Sequence, residues 1–254
     1  MRLNDKSAIV TGGAAGIGRA ICQLFAEEGA SVTVADIDEV DGRETVRLIA
    51  DAGGEAGFVR TDVSDETQVK AMVDQAASSM GKIDVLVNDA AAFVFGLVED
   101  VTDDDWQRVF GVNVIGASYC VRNVMPHMKA LGGGSIVNIA SVSAMVAQAA
   151  FVPYNASKGA LLQLTRCLAL DLAPHGIRVN CVCPGSVLTQ ATEAHRKFTG
   201  TDRDDFLREA GSSNFLKRIA DPREIAYGAL FLASDESSFM TGSPLIMDGG
   251  ATAQ

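Results

Sequence analysis

The sequence has few cysteines, histidines and aromatic residues, and each shortage argues against a class of protein. Its five cysteines are odd in number and contain no Cys-x-x-Cys pair, so reduced thiols are expected rather than a disulfide framework. Its three histidines do not cluster with other ligand residues, which argues against a metal centre. Basic residues are outnumbered by acidic ones, 21 to 32, and this balance argues against nucleic acid or an anionic membrane as partner.

Long hydrophobic runs are also missing. No segment approaches the roughly 18 consecutive apolar residues that a membrane-spanning helix needs. The first residues, MRLNDKSAIVTGG, contain no apolar segment of the secretory-signal kind. We therefore expect a cytoplasmic protein with no membrane partner.

The residues that are abundant indicate an alternating strand–helix chain. The composition is 48% hydrophobic, and short β-branched runs alternate with longer helical patterns. Near-continuous apolar strands separated by helices predict a parallel sheet covered on both faces. The prediction is an α/β fold, a single doubly wound domain over residues 1–254 with a seven-stranded parallel sheet. The predicted strands are SAIVTG, SVTVAD, GFVRTD, DVLVND, GSIVNIAS, IRVNCVCPG and PLIMDGG.

Helical patterns lie between these strands, and one region interrupts the alternation. The clearest helices are predicted over 17–28, 66–80, 102–129, 155–172 and 222–233. Residues 188–218 are polar and charged with scattered Phe and Leu, and they are too long for a simple connection. Long insertions of this kind are typical of lids or binding loops, so we predict a helical substrate lid here.

The first strand ends in TGGAAGIG, which places Gly12, Gly16 and Gly18 in a strand-to-helix turn. Glycine lets backbone N–H groups approach a pyrophosphate at the positive end of a helix. Alone, three glycines equally suit a tight turn without a ligand. The preceding strand, the following helix and an acid about 20 residues further on favour a dinucleotide site.

That acid is Asp36, and its position predicts the identity of the cofactor. A carboxylate at the end of the second strand can bind the ribose hydroxyls of NAD. It would repel the 2′-phosphate of NADP, and neither Ala15 nor Ile37 is basic. We therefore expect NAD.

A second group of polar residues follows the fifth strand. Ser141 lies at the strand end, and Tyr154 and Lys158 are four residues apart at the start of a helix, so they share a face. Tyrosine has a pKa of about 10, which a lysine ammonium and a cationic nicotinamide nearby would lower. Such a group suits proton transfer at an alcohol or carbonyl oxygen while a hydride moves. The alternative for an isolated Tyr-x-x-x-Lys pair is an ordinary surface helix.

Taken together, these segments resemble the short-chain dehydrogenases/reductases over essentially the whole chain. In chain order the matching pieces are TGGAAGIG, Asp36, TDVSD, NDAA, VNVIGA, Ser141, YNASK and PGSVLT. The resemblance implies a Rossmann-type fold, an alcohol dehydrogenase or reductase activity, and a homotetramer packed through helices near 103–130 and 154–173.

The resemblance also implies a role for each matched residue. Tyr154 would be the catalytic acid/base, Lys158 would lower its pKa, Ser141 would polarise the substrate oxygen, and Asn113 would hold a water as a proton relay. From the residues alone, Asn113 equally suits a polar group in a helix core. The implied cofactor contacts, with Asp62 and Val63 at the adenine and Val187 and Thr189 at the carboxamide, are Gly12, Ala15, Gly16, Ile17, Gly18, Asp36, Ile37, Asp62, Val63, Asn88, Ala90, Ala91, Tyr154, Lys158, Pro184, Gly185, Val187 and Thr189.

Two residues depart from the family's usual Asn-Asn-Ala-Gly segment, which here reads NDAA. Asp89 replaces an amide and Ala91 replaces a glycine. When ionised, Asp89 accepts hydrogen bonds but cannot donate them. The substitution is either tolerated locally or tunes cofactor affinity.

The substrate is the least determined part of the sequence prediction. The candidate wall residues are Ala92, Phe93, Ser143, Gln148, Phe151 and Leu188. This amphipathic mixture favours oxidation of a sugar, polyol or sugar acid. The alternatives are reduction of a 3-oxoacyl thioester of acyl carrier protein or CoA, and a non-catalytic NAD-binding scaffold. A serine hydrolase is disfavoured because Gly-x-Ser-x-Gly is missing.

The predicted lid carries basic residues in an otherwise acidic protein. They are His195, Arg196, Lys197 and Arg203. One hypothesis is that they bind an anionic substrate, and the alternative is a solvated charged helix.

Overall fold

The predicted parallel sheet is confirmed in a computed structural model that describes residues 1–253. Seven parallel strands lie in the order β3-β2-β1-β4-β5-β6-β7. Their bounds are β1 Ser7–Thr11, β2 Ser31–Asp36, β3 Glu55–Arg60, β4 Val85–Asn88, β5 Gly134–Ile139, β6 Ile177–Pro184 and β7 Pro244–Met247.

Helices cover both faces of this sheet. Their bounds are α1 Gly16–Glu27, α2 Glu39–Asp51, α3 Glu66–Met80, α4 Asp103–Phe110, α5 Ala117–Leu131, α6 Val152–Leu172, α7 Gln190–Thr199, α8 Arg203–Ser212 and α9 Pro222–Ala233. Within the described chain, no helix has both the length and the apolar composition that crossing a membrane requires. Residues 1–253 also contain no group of three or more His, Cys, Asp or Glu side chains placed to hold a metal ion.

Side chains alternate between the two faces of each central strand and so build two cores. In β4, Val85 and Val87 pack into the core beneath α1 and α9, whereas Leu86 packs beneath α3 and α5. Successive side chains of a strand point to opposite faces, so a strand buried on both sides must be apolar throughout. This requirement explains why the strands could be recognised as continuous apolar runs.

The single helix predicted over 102–129 is divided. Between α4 and α5 the chain forms one wide π-helical turn, Gly111–Gly116. Such turns insert an extra residue into a helix and occur often at functional sites. Asn113 lies within this turn and is buried. A single π turn adds only one residue to the helix and does not interrupt its run of apolar residues. The sequence therefore indicated one uninterrupted helix.

The order of the strands determines where a ligand can bind. The chain proceeds outward from β1 to β3 on one side and then crosses over to β4 on the other, so β1 and β4 flank the switch point. Thr11 and Asn88, the last residues of these strands, are partners in the register. In open α/β sheets the crevice beyond such strand ends is the usual ligand site.

Candidate active site

A cavity of about 1120 Å³ opens at the carboxyl ends of the strands. Its wall contains residues from the glycine turn, the loop after β4, the start of α6 and the helices α7 and α8. These segments are far apart in the chain, and the sheet brings them together because all of its strands point toward this edge.

The glycine turn is packed too tightly for larger residues. A Cβ atom at Gly12 would lie 2.7 Å from the Ala90 nitrogen, and one at Gly18 would lie 2.1 Å from the Gly12 oxygen. Gly12 and Gly16 also have positive φ angles of 71° and 55°. The turn therefore holds the first residues of α1 against the cavity. Gly12, Gly16, Ala15 and Ile17 line it, whereas Gly18 is buried behind them.

The N-terminus of α1 has no side-chain cap, and its first turn contains no acidic residue. By contrast, side chains of Asp38, Asp65 and Thr189 cap α2, α3 and α7. An uncapped helix start leaves backbone N–H groups free and carries a partial positive charge. The residues present therefore suit the pyrophosphate of a dinucleotide.

Asp36 lies where a ribose would be expected. Its carboxylate accepts hydrogen bonds from the backbone nitrogens of Ala14 and Asp38, each at 3.0 Å. A carboxylate has further lone pairs, so these two contacts fix its position and leave acceptors for hydroxyl groups. Asp38, Asp41 and Asp62 also line this part of the cavity. Asp62 accepts from the backbone and the hydroxyl of Ser64, at 2.9 and 2.7 Å.

The residues after β6 close the cavity against the glycine turn. Pro184, Gly185, Val187 and Thr189 all line it, and the Thr189 side chain faces Gly16. The Thr189 hydroxyl accepts a hydrogen bond from the Thr192 nitrogen at 3.4 Å and so starts α7. The same residue thus joins the cofactor cradle to the predicted lid.

Ser141 and Tyr154 form the reactive pair. Their side chains lie close enough for Ser141 to influence the pKa of Tyr154, and both residues are 8% exposed on the cavity wall. The lowered pKa that the sequence predicted for Tyr154 assumes a cationic nicotinamide beside the phenol, and it stays a prediction. Burial raises the pKa of the phenol, and the nearby carboxylate of Asp89 raises it further, while Ser141 opposes them.

The ammonium of Lys158 lies near the ring of Tyr154. Its Nζ atom donates a hydrogen bond to the Ile139 carbonyl oxygen at 2.7 Å and lies 5.5 Å from the centre of the Tyr154 ring. The ammonium therefore faces the ring rather than forming an ion pair at the hydroxyl. Burial lowers the pKa of Lys158 to about 8, although Asp89 favours its charged form.

Asn113 holds the loop after β4. Its Oδ1 atom accepts from the Ala92 nitrogen at 2.7 Å, and its Nδ2 atom donates to the Ala92 oxygen at 3.1 Å. Nδ2 also donates to the Ser157 hydroxyl at 3.0 Å, beside Lys158 in α6. The side chain is 1% exposed and does not line the cavity. Here it positions two segments of the site, and the proton-relay role stays a prediction.

The side chain of Asn88 does not lie where the sequence predicted. The sequence placed it among the cofactor contacts, but its side chain points into the protein and does not line the cavity. Its Nδ2 atom donates to Asn138 at 2.9 Å, and Asn138 in turn donates to Thr165 at 2.9 Å. As the last strand residue, Asn88 continues the alternation of β4, so its side chain lies beneath the cavity floor. It crosslinks the strand ends to α6.

Asp89 and Ala91 do lie on the cavity wall. The backbone nitrogens of Asp89 and Ala90 both donate to the Thr11 hydroxyl, at 3.2 and 3.3 Å, which fixes the turn. Ala91 needs no left-handed backbone, so its extra methyl group causes no strain there. Burial raises the pKa of Asp89, and Lys158 and the amide of Gly18 partly offset this effect.

Two predicted substrate contacts are also corrected. Ser143 is buried, and its hydroxyl accepts a hydrogen bond from Ser141 at 3.1 Å, so it positions Ser141 instead of lining the cavity. Leu188 faces a different cleft, beside Arg19 and Pro222. The backbone around Val187 is extended and bridges to Ala220, so neighbouring side chains point to opposite sides.

An aromatic wall lies beside Tyr154, and the sequence predicted only part of it. The predicted Phe93 and Phe151 line the cavity, as do Ala92 and Gln148. The other members were not predicted as wall residues. Two signals for them were present in the sequence: the spacing Phe93-x-Phe95, and His195 and Phe198 three residues apart on a helix. The full aromatic wall consists of Phe93, Phe95, Phe151, His195, Phe198 and Phe206.

Three of the four basic residues of the predicted lid do not line the cavity, and His195 is the exception. Arg196 and Arg203 both bind the carboxylate of Glu193, at 2.8 and 3.0 Å. Lys197 lines the separate cleft next to Arg19. The structure therefore favours the solvated-helix alternative over the anion-binding hypothesis.

The comparisons with known proteins agree with this site. A family model described as enoyl-(acyl carrier protein) reductase matches residues 12–252. Cyclopentanol dehydrogenase of Comamonas testosteroni is 38% identical over 252 residues, which is 99% of each chain. Meso-2,3-butanediol dehydrogenase of Serratia marcescens is 39% identical over 255 residues, covering 100% of this chain and 97% of that protein.

Two further similarities extend this range. The 3-oxoacyl-[acyl-carrier-protein] reductase of Chlamydia pneumoniae is 38% identical over 250 residues, 98% of both chains. The crystal structure of a putative short-chain dehydrogenase/reductase from Burkholderia xenovorans matches with a TM-score of 0.95 and 36% identity, covering 100% of this chain and 98% of that one. The similar proteins thus share one fold and carry differently named activities.

Proposed function

Because the chain belongs to the short-chain dehydrogenase/reductase family, we propose that it interconverts a secondary alcohol and a ketone by NAD-dependent hydride transfer. The observation that carries the proposal is that Ser141 and Tyr154 line the same cavity as the uncapped start of α1, with Ser141 close enough to influence the pKa of Tyr154. A proton-transfer pair beside a dinucleotide cradle is what coupled hydride and proton transfer requires.

The chain's own residues supply the proton chemistry. The bound nicotinamide supplies the hydride acceptor in the direction of oxidation. Ser141 donates a hydrogen bond to the substrate oxygen, and Tyr154 accepts the hydroxyl proton. Because burial raises the pKa of Tyr154, this acceptance needs a positive charge beside the phenol, and Lys158 is the resident cation. In the direction of reduction, Tyr154 returns the proton to the oxygen.

The preference for NAD over NADP rests on the acidic end of the cavity. Asp36, Asp38, Asp41 and Asp62 line it together. A 2′-phosphate would meet their combined negative potential, whereas ribose hydroxyls can donate to Asp36. The nearby cation Arg19 is engaged by the Asp41 carboxylate at 3.4 Å and by Thr45.

We also propose the direction of the reaction and the type of substrate. Oxidation of an alcohol is favoured because an NAD preference suits it, and two relatives are named for the dehydrogenation of alcohols. The sequence favoured a sugar, polyol or sugar acid, but Glu193 pairs with the lid arginines that a sugar acid would need. Reduction of a 3-oxoacyl thioester is the second candidate, because one relative is named for it.

A non-catalytic NAD-binding scaffold is the alternative from another class. Such a protein would have no use for Ser141, Tyr154 and Lys158 together, and all three lie on the wall of one cavity. The test is NADH absorbance at 340 nm with a broad panel of secondary alcohols, with Tyr154→Phe as the matched control. We expect turnover by the wild type and a loss of at least ~100-fold in the variant, since general acid–base catalysis supplies that much. Equal rates for both proteins would support the scaffold.

We further propose that the protein is a cytoplasmic homotetramer that binds no nucleic acid. Ile115 and Leu131, at the two ends of the α5 region, and Leu170 on α6 are apolar and exposed in the single chain, Leu170 to 78%. Exposed apolar side chains on helices indicate a contact surface. Sedimentation at micromolar concentration tests this proposal: a tetramer agrees with it and a monomer contradicts it.

A further inference from the structure

We propose that the substrate is a secondary alcohol or ketone carried on an apolar ring, alicyclic or aryl, which lies against the aromatic wall. The inference rests on the proposed function, because it assumes that Ser141 and Tyr154 hold the reacting oxygen. It goes beyond that function in naming what the rest of the substrate must be.

Phenylalanines are concentrated at this cavity although aromatic residues are scarce in the chain. Aromatic residues make up 6% of the chain, yet five of its 11 phenylalanines line this one cavity. They come from separate parts of the fold: the loop after β4, the start of α6, and the helices α7 and α8. Neighbouring positions in the sequence therefore cannot explain their meeting.

Two phenylalanine rings pack against the phenol ring of Tyr154. The Phe93 ring stacks on the Tyr154 ring with centroids 4.7 Å apart and planes at 22°. Phe151 meets the same ring edge to face at 5.9 Å and 63°. These are the geometries that aromatic pairs favour. The Tyr154 ring is therefore flanked by two apolar rings.

The wall continues outward from this centre. Phe151 packs edge to face on Phe95 and on His195, at 5.0 and 4.7 Å. His195 stacks on Phe95 at 5.3 Å, Phe198 lies 5.3 Å from Phe95, and Phe206 lies 5.5 Å from His195. The result is one connected surface reaching from Tyr154 to α8.

The wall is also held in place by the backbone. Gly96 and Phe151 form an isolated β-bridge, and the Gly96 nitrogen donates to the Ala150 oxygen at 2.8 Å. Ala150 has a positive φ of 58°, which is a costly conformation for alanine. The bridge fixes the two chain segments that carry Phe95 and Phe151, so their rings form a preorganised surface.

Part of this surface remains open to water. Phe93 and Phe95 are half-buried, and Phe198 is 53% exposed. A satisfied core cluster would be fully enclosed. Apolar rings that stay wet inside a cavity gain stability when an apolar ligand covers them.

Of the polar groups that the sequence offered to a polyol or a sugar acid, Gln148 lines the cavity, whereas Ser143 and the lid arginines are engaged elsewhere. Ser143 is occupied by Ser141, and the lid arginines are paired with Glu193. Burial lowers the pKa of His195, which favours its neutral imidazole, and the ring packs as part of the wall. Beside Tyr154 the wall therefore presents mainly apolar rings to the substrate.

The test compares ring and non-ring substrates by steady-state kinetics with NAD. The probes are cyclohexanol and 1-phenylethanol for rings, 2-propanol for the same alcohol without a ring, and sorbitol for a polyol. We expect kcat/KM for the ring alcohols to exceed that for 2-propanol and for sorbitol by at least ~10-fold, the effect of roughly 1.4 kcal/mol of ring contact. Sorbitol equal to or better than the ring alcohols would overturn the inference.

Variants of the wall separate this inference from general damage. Phe95→Ala should raise KM for 1-phenylethanol by roughly 10-fold and reduce the preference for it over 2-propanol by a similar factor. Phe95→Leu keeps apolar volume and removes only the ring, so it tests the same point if the alanine variant unfolds. Phe239→Ala is the control, because that side chain is fully exposed and lines neither cleft. An unchanged preference in both Phe95 variants contradicts the inference.

The two levels of proposal fail in different ways. If no alcohol in the panel gives NADH above the Tyr154→Phe background, the proposed function fails. If turnover depends on Tyr154 but the ring alcohols have no advantage, only the ring inference fails. Turnover that is best with an acyclic 3-oxoacyl thioester would likewise overturn it.

Discussion

The Oδ2 atom of Asp89 lies directly against Gly18, so that a Cβ atom there would come within 2.7 Å of it. The amide of Gly18 lowers the pKa of this carboxyl group, and Lys158 attracts its charge. Asp89 thus lies between the turn expected to hold a pyrophosphate and the lysine beside Tyr154. The other titratable groups that act on it or respond to it are Asp36, Cys22 and Tyr154.

Asp89→Asn should stabilise the protein more at high pH than at low pH. Burial raises the pKa of Asp89 from 3.8 to about 7 in the folded protein. A raised folded-state pKa contributes stability that is fully present below the unfolded value and is lost as the pH rises through the folded value. The variant should therefore exceed the wild type in Tm at pH 8.5 by roughly 2–4 °C, the effect of about 1 kcal/mol.

The measurement is thermal unfolding at constant ionic strength from pH 4 to 8.5. The difference in Tm between the two proteins should shrink toward pH 4. Exposed Glu99→Gln serves as the control and should show no such trend. A difference that stays constant across the range would mean that Asp89 does not titrate there.

The same charge should make NAD binding depend on pH. A carboxylate facing the glycine turn repels the pyrophosphate by about 1 kcal/mol, the scale of two unit charges 4 Å apart in water. We expect the dissociation constant of NAD to rise about fivefold in the wild type from pH 6 to pH 8.5. Asp89→Asn should rise less, and its remaining slope would report Lys158, whose pKa of about 8 lies in this range.

Calorimetry in two buffers of different ionisation enthalpy gives a second measure of this coupling. The wild type should take up a fraction of a proton when it binds NAD at pH 7.5, because the bound phosphates favour protonated Asp89. Asp89→Asn should lose the part of that uptake that Asp89 contributes and keep only the part that Lys158 contributes. Equal uptake by both proteins would show that Asp89 is a tolerated substitution, which was the simpler interpretation of NDAA.

The fold could be predicted from the sequence because it depends on repeated local patterns. Each strand buried on both faces must be apolar, as Leu86 and Val87 show, and the predicted strand runs match the observed strands closely. The residues of the active site could be located for a similar reason, since strand ends meet at one edge of a parallel sheet. Gly12 and Asp36 are of this kind.

Side-chain direction could not be predicted in the same way. Asn88 and Leu188 sit at the expected chain positions, but the alternation of extended backbone turns them away from the cavity. The aromatic wall depends on the packing of α7 and α8 against the loop after β4. Contacts such as that of His195 with Phe95 join residues 100 positions apart, and no local pattern predicts such a pair.

Asn113→Ala should weaken both the fold and catalysis. The change leaves the Ala92 backbone nitrogen and oxygen without their partners, and unsatisfied buried groups cost about 1–3 kcal/mol each. We expect the free energy of unfolding to fall by at least ~2 kcal/mol and kcat to fall because the loop that carries Phe93 is released. Denaturant unfolding and steady-state kinetics measure the two effects.

Asn123→Ala is the matched control for Asn113. It removes the same side chain from the same helical region, where Asn123 Nδ2 donates only to the Tyr119 oxygen. A loss no larger in Asn113→Ala than in Asn123→Ala would show that the bonds to Ala92 contribute nothing. A normal stability with a changed pH profile of kcat would instead support the proton-relay role.

The double variant Asp36→Ser, Ile37→Arg should shift cofactor use toward NADP. It removes the carboxylate that would accept the ribose hydroxyls and places a cation on the cavity wall, where Ile37 is 61% exposed. Asp36 also accepts from the Ala14 nitrogen, so serine is chosen because it keeps a short oxygen acceptor near that amide. With about 3 kcal/mol from one lost repulsion and one new attraction, the ratio of kcat/KM for NAD to that for NADP should fall by roughly 100-fold. Asp51→Asn, which changes an exposed acid outside the cavity, should leave the ratio unchanged. A wild type that already uses NADP as well as NAD would show that the acidic end of the cavity does not select the cofactor.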